Sequence, residues 1–150
     1  MSILHDEENF LNRVLKGNTL AVRYCIDLGQ LCQLLDDVVD GDKPVTKGHI
    51  ERAFWCMLIE LPNNSFFIKH NQSLMAVLST GFNAWLDSNE LEKGNDHEQQ
   101  LAFVLRNNIV EIVCHCAYLV GGYSWMREIS PTIRRHYLSE AFSDYQASLR

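Results

Sequence analysis

Proline is scarce, with three in 150 residues, and glycine reaches only eight. Few positions therefore force a break, so long helices are allowed. No stretch alternates polar and apolar residues with the period of two that a half-buried strand requires. The five cysteines, Cys25, Cys32, Cys56, Cys114 and Cys116, contain no CxxC pair, and each sits among large apolar residues. Zinc-finger spacing is absent, and reduced, buried thiols acting as small hydrophobes are the expectation. Glycine-rich phosphate loops, a GxSxG elbow and HExxH are missing too, which removes the usual nucleotide-loop, serine-hydrolase and zincin readings.

Residues 1–9 lack the basic and then apolar pattern of a secretory leader. The longest apolar-rich stretch, 109–120, is interrupted by Glu111 and His115 and falls short of the ~20 residues that span a bilayer. A cytoplasmic protein without a membrane segment is expected. Basic residues are in deficit, 13 against 19 acidic ones, for a net charge of −6. General nucleic-acid binding is disfavoured on that ground. A hydrophobic content of 47% can offset chain entropy, and no linker or repeat interrupts it, so residues 1–150 read as a single domain.

What is present is helical spacing. Ile50, Ala53, Phe54, Met57, Leu58 and Leu61 follow the i, i+3, i+4, i+7 rule, as do Leu74, Val77, Leu78, Phe82 and Trp85. Six main helices are predicted, over 6–16, 19–40, 47–61, 72–89, 96–120 and 131–147, with a short helical turn near 65–70. Asn95 with Glu98 reads as a capping box, and Ser130 with Pro131 as a helix start. The expected fold is all-α, a compact bundle with the helices near 19–40 and 96–120 at its centre.

Two constellations carry candidate chemistry. Asp36 and Asp40 are one turn apart near the end of the second helix, where like charges repel and oppose the helix dipole. A divalent cation would relieve both, and carboxylates so spaced can hold Mg²⁺ against phosphate oxygens. Asp36 is placed on a side with Cys25, Gly29 and Cys32, where small residues permit close helix approach, while Asp37 is expected in solvent. A solubilising helix end is the alternative. An EF-hand, with Asp40, Asp42 and Glu51 at loop positions, is disfavoured because Pro44 and Val45 replace a ligand and the turn glycine.

The second constellation is a polar stripe on the fifth helix. Asn107, Glu111 and His115 are spaced i, i+4, i+8, on a side without lysine or arginine. If the two helices pack together, Asp36, Asp40 and Glu111 would hold the metal. Glu111 and His115 would act as a base and an orienting or protonating group, with Asn107 placing substrate or water. Arg134 and Arg135 would be surface charges or contacts to phosphate. A phosphate-containing small molecule is then the expected ligand, and hydrolysis or transfer at phosphate or diphosphate the expected reaction. The other reading is a non-catalytic accessory or inhibitor protein that uses such a face for homo- or hetero-oligomerisation, a homodimer included.

The string Asp36-Asp37-Val38-Val39-Asp40 resembles the DDxxD motif of all-helical isoprenoid synthases. That resemblance implies Mg²⁺ held by aspartates against a diphosphate. Asn107 to Glu111 is loosely similar to those enzymes' second acidic motif. As a whole, the chain resembles small uncharacterised helical proteins of tailed phages, which implies no activity.

Overall fold

The computed structural model of the protein describes residues 3–41 and 43–149, and every regular element in them is helical. In chain order these are α1 (Ile3–Val14), α2 (Thr19–Asp40) and α3 (Lys47–Trp55), which a π-helical turn (Cys56–Glu60) extends. There follow α4 (Ser65–Leu91), α5 (Asp96–Leu105), α6 (Ile109–Tyr137) and α7 (Phe142–Ser148). The all-α class read from apolar spacing is the one observed. Asp42, used above in the calcium-loop comparison, lies outside the described residues. The chain falls into two compact units, Met1–Asn71 and Gln72–Arg150.

In the first unit α1 lies against α2, and Leu11, Val14, Leu15, Val22, Tyr24 and Ile26 are buried. Asn18 opens α2 by accepting a hydrogen bond from the Ala21 N–H at 3.0 Å. Gly41 closes it in the left-handed region, φ 66°, and donates its N–H to the Asp37 carbonyl; a side chain there would be strained. Non-helical dihedrals at His70 (φ −117°, ψ 19°) divide α4 where the predicted turn near 65–70 gives way to the predicted helix over 72–89, and its start is capped by Asn64. The Asn64 side chain accepts from the Phe67 N–H at 3.1 Å and donates to the Leu20 carbonyl at 3.0 Å, tying that helix start to α2. Tyr24 stacks on Phe67, with ring centroids 5.8 Å apart.

The third helix departs from expectation in which side chains it buries. Of its predicted apolar face, Ala53 is buried, whereas Ile50, Phe54, Met57 and Leu58 are exposed. Its period is right, but it meets α2 with small residues, Ala53 and Cys56 burying themselves and the large ones pointing out. Past Trp55 the ladder widens, the Leu61 N–H reaching back five residues to the Cys56 carbonyl at 2.9 Å. Such single π-turns are rare and concentrate at functional sites.

In the second unit the predicted 96–120 helix is two helices. Asn107 and Asn108 donate their side-chain amides to the Phe103 and Leu105 carbonyls at 3.2 and 2.7 Å. These bonds compete with the helical backbone and make the turn between α5 and α6. The Asn95–Glu98 capping box forms as predicted, with bonds of 2.9 and 3.0 Å. α6 buries Val110, Ile112, Val113, Cys114, Cys116 and Ala117, with His115 half-buried and Glu111 exposed among them. Helical dihedrals fail within it at Gly122 (φ 81°, ψ −175°), a conformation reserved for glycine. Pro131 starts no helix: it lies inside α6, and Ser130 is buried. α7 packs on α5 through Phe103, Phe142 and Tyr145, with centroids 5.1–6.4 Å apart.

Against the expectation that no stretch suits a bilayer, an 18-residue window within Asp96–Tyr137 reaches a mean hydropathy of 1.3, with 33% of it buried in the protein. By length and composition that suffices to cross a membrane, but a core helix passes the same test, so location does not follow from it.

Two glycines should answer oppositely to alanine. A methyl at Gly29, inside α2, meets nothing within 4 Å, so Gly29→Ala should stabilise by about 0.5–1 kcal/mol in urea unfolding. Gly122→Ala should destabilise by about 1–3 kcal/mol, because its positive φ is closed to alanine.

Candidate functional site

The predicted aspartate pair lies in the first unit. Asp36 is half-buried, and Asp40 is the exposed last residue of α2. The close helix approach expected on their side is absent at Gly29, where space is open. Asp37, expected in solvent, is half-buried, accepts from the Gln33 amide at 2.9 Å and lines a cavity.

The predicted stripe lies in the second unit, and its three members have separate partners. Asn107 belongs to the turn before α6, so only Glu111 and His115 share a helix. Glu111 is exposed, and Arg134 holds both its oxygens, at 2.6 and 3.3 Å. That fork raises the Arg134 pKa, first through the hydrogen bond to Glu111, and it identifies Arg134 as the partner of Glu111. His115 Nε2 lies 2.9 Å from Ser73 Oγ, and its ring stacks on Tyr118 at 6.0 Å.

Sequence spacing offered no sign of the best-buried ion pair in that unit. Arg106 reaches Glu92 at 2.7 Å and the Asn89 side chain at 3.0 Å, with both charged side chains under one-fifth exposed. The Tyr145 hydroxyl donates to the same Glu92 carboxylate at 2.6 Å. Burial and that hydrogen bond push the Tyr145 pKa far up. These partners are up to 53 residues apart, and no local pattern links them.

The first unit contains a cavity of about 300 Å³ where α2 faces α3. Asp27, Asp37, His49, Arg52 and Cys56 are among its walls. Asp27, Cys56 and Glu60 each place one ligand-type atom within 4.8 Å of the other two. Asp27 and Cys56 are buried, and Glu60 is half-buried. Asp27 makes no hydrogen bond among the described residues; the Arg23 guanidinium, mostly exposed, approaches it no closer than 3.9 Å. Burial raises the Asp27 pKa, outweighing Arg23. The Cys56 thiol is pushed up to about 11, by burial first and then by the charges of Asp27 and Glu60. Glu60 is held low, mainly by its hydrogen bond from Arg52 at 3.0 Å.

None of these three was singled out by spacing. Cys56 read correctly as a buried thiol. The available sign for Asp27 was its position between Ile26 and Leu28, in the most apolar part of α2. His49 is fixed by its own helix cap: Nδ1 accepts from the Thr46 N–H at 3.3 Å, which places the proton of the neutral ring on Nε2. Comparison with protein families, curated proteins and solved structures finds no match to this chain.

Two contrasts test these environments. Arg106→Met strands a part-buried carboxylate and should cost about 2–3 kcal/mol in urea unfolding. Arg134→Met breaks an exposed pair and should cost at most about 1 kcal/mol. Asp27 binds its proton more tightly in the fold than at its ordinary value of 3.8. Its contribution is therefore full below that value and is lost as pH rises through the raised one. Asp27→Asn should be more stable than wild type at neutral pH in metal-free buffer, with the difference shrinking in acid.

Proposed function

We propose that the protein is a homotypic interaction module whose docking face is the outer side of α3 and its π-turn, and whose partner is a second copy of the same chain. One observation carries this reading. Ile50, Phe54, Trp55, Met57, Leu58 and Ile59 are each between 41% and 67% exposed within ten residues. At about 100° per residue they fan over roughly 200° of the helix, opposite Ala53 and Cys56. Half-exposed side chains of this size present roughly 600 Å² together, at the top of the range for the largest patch on a monomer.

A second copy fits for reasons of area and charge. Stable complexes bury about 800 Å² per partner, which this face and its rim would nearly supply. The chain's charge of −6 opposes self-association, but residues 47–60 balance Lys47 and Arg52 against Glu51 and Glu60. A two-fold axis perpendicular to α3 would run the two helices antiparallel, so that opposite dipole ends and the Lys47 and Glu60 ends face each other. The hydrolytic reading has less support, because Glu111 already gives both oxygens to Arg134.

Sedimentation velocity from low to high micromolar concentration tests the proposal. Wild type should move from monomer to dimer, and Trp55→Glu with Leu58→Glu should remain monomeric with unchanged helical circular dichroism. A wild type that stays monomeric throughout, or a double variant that dimerises equally well, overturns it.

A further inference from the structure

We propose that Asp27, Cys56 and Glu60 form a binding site for a borderline transition-metal cation of the zinc class, with one coordination position open to the cavity between α2 and α3. The site is built from three places in the sequence. α2 supplies a carboxylate from its apolar half, and the π-turn supplies a thiol at its first residue and a carboxylate at its last. Asp27 is the member that asks for a ligand. It is more than nine-tenths buried, lines the cavity, and accepts no hydrogen bond among the described residues. A carboxylate in that state carries a desolvation cost that the solvent-facing Arg23, in a long ion pair at 3.9 Å, offsets only in part.

The donor set selects the metal. One sulfur and two carboxylate oxygens suit zinc or cobalt, whereas Mg²⁺ demands oxygen ligands and keeps its water. The present spacing of up to 4.8 Å exceeds that of a tetrahedral zinc site by about an ångström, a movement within reach of side-chain rotation. Cys56 Sγ lies within 4.8 Å of a Glu60 carboxylate oxygen, and a cation joining them would displace the thiol proton to solvent. Arg52 would remain on Glu60 as the outer partner that orients a ligating carboxylate. Three anionic donors, one dication and the adjacent Arg52 leave the cluster near neutrality. Three protein ligands beside an open volume of about 300 Å³ match the pattern of sites that admit water or a small anion as the fourth ligand.

Cobalt(II), added alone to the full chain under reducing conditions, tests the site through its thiolate charge-transfer band in the near ultraviolet. Wild type should develop the band with saturation at one equivalent, and zinc should abolish it by displacement. Cys56→Ala should lose it, Cys32→Ala should keep it, and Asp27→Asn and Glu60→Gln should weaken binding at least tenfold, as losing one of three ligands requires. Because Cys56→Ala alters a buried position, the two carboxylate variants probe the same site with the thiol intact. Zinc should also raise the wild-type melting temperature and leave that of Asp27→Asn unmoved. No band in wild type, an undiminished band in Cys56→Ala, or carboxylate variants that bind as tightly as wild type would each overturn the proposal. Dimerisation is measured separately, so failure here leaves the docking face standing, and the reverse holds too.

Discussion

A carboxyl group kept out of water at Asp27 is the constraint around which the first unit is arranged. Burial first, and then the charge of Glu60, raise its pKa, and the Arg23 guanidinium offers only a 3.9 Å contact from solvent. Apolar residues on both sides in the sequence leave α2 no way to turn Asp27 outward without exposing Ile26 or Leu28, both buried. The neighbouring element must therefore come to Asp27 with small side chains. α3 does so with Ala53 and Cys56, while Glu60 and Arg52 complete a compensated cluster at the edge. The π-turn belongs to the same solution, because it shifts the register of the helix where Cys56 and Glu60 approach α2.

That choice has a consequence on the other side of α3. A helix that meets its neighbour through Ala53 and Cys56 has nowhere inside for Phe54, Trp55, Leu58 and Ile59, so they face outward. Apolar content here is not surplus core. It is a surface displaced from the core by the chemistry of the inner face, and large exposed patches of this kind mark interaction sites.

Much of the fold was legible in the sequence, because it rests on local rules. The period of apolar residues pointed to the all-helical class, and the Asn95–Glu98 box was readable as short-range chemistry. Failures occurred where a side chain competed with the backbone or where tertiary context overrode spacing. Asn107 and Asn108 took helical carbonyls and divided a helix that periodicity had drawn as continuous. Pro131 was read as a start and proved an interior residue. The candidate site was much less legible. Acidic spacing drew attention to Asp36, Asp40 and Glu111, which are conspicuous because they are crowded in sequence. Cys56 and Glu60 are one turn apart but look ordinary locally, Asp27 is 29 residues upstream of Cys56, and only folding brings all three within 4.8 Å.

The inner and outer faces of α3 share one short piece of backbone. Trp55 precedes Cys56, and Leu58 and Ile59 lie between Cys56 and Glu60, so whatever fixes the π-turn on the inside fixes the outer side chains too. A π-turn is a rare interruption of an α-helix, so the side-chain contacts at its two ends bear on how firmly it is held. With the thiol protonated, the Arg52–Glu60 pair is a side-chain anchor at its last residue. A cation joining Cys56 and Glu60 to Asp27 would leave Arg52 on Glu60 and add bonds that reach across to α2, narrowing the conformations open to Trp55, Leu58 and Ile59. Pre-ordering side chains before association lowers the entropic cost of binding. The two proposals thus stand independently in their tests, yet share a physical route by which occupancy of the inner site would tighten docking on the outer face.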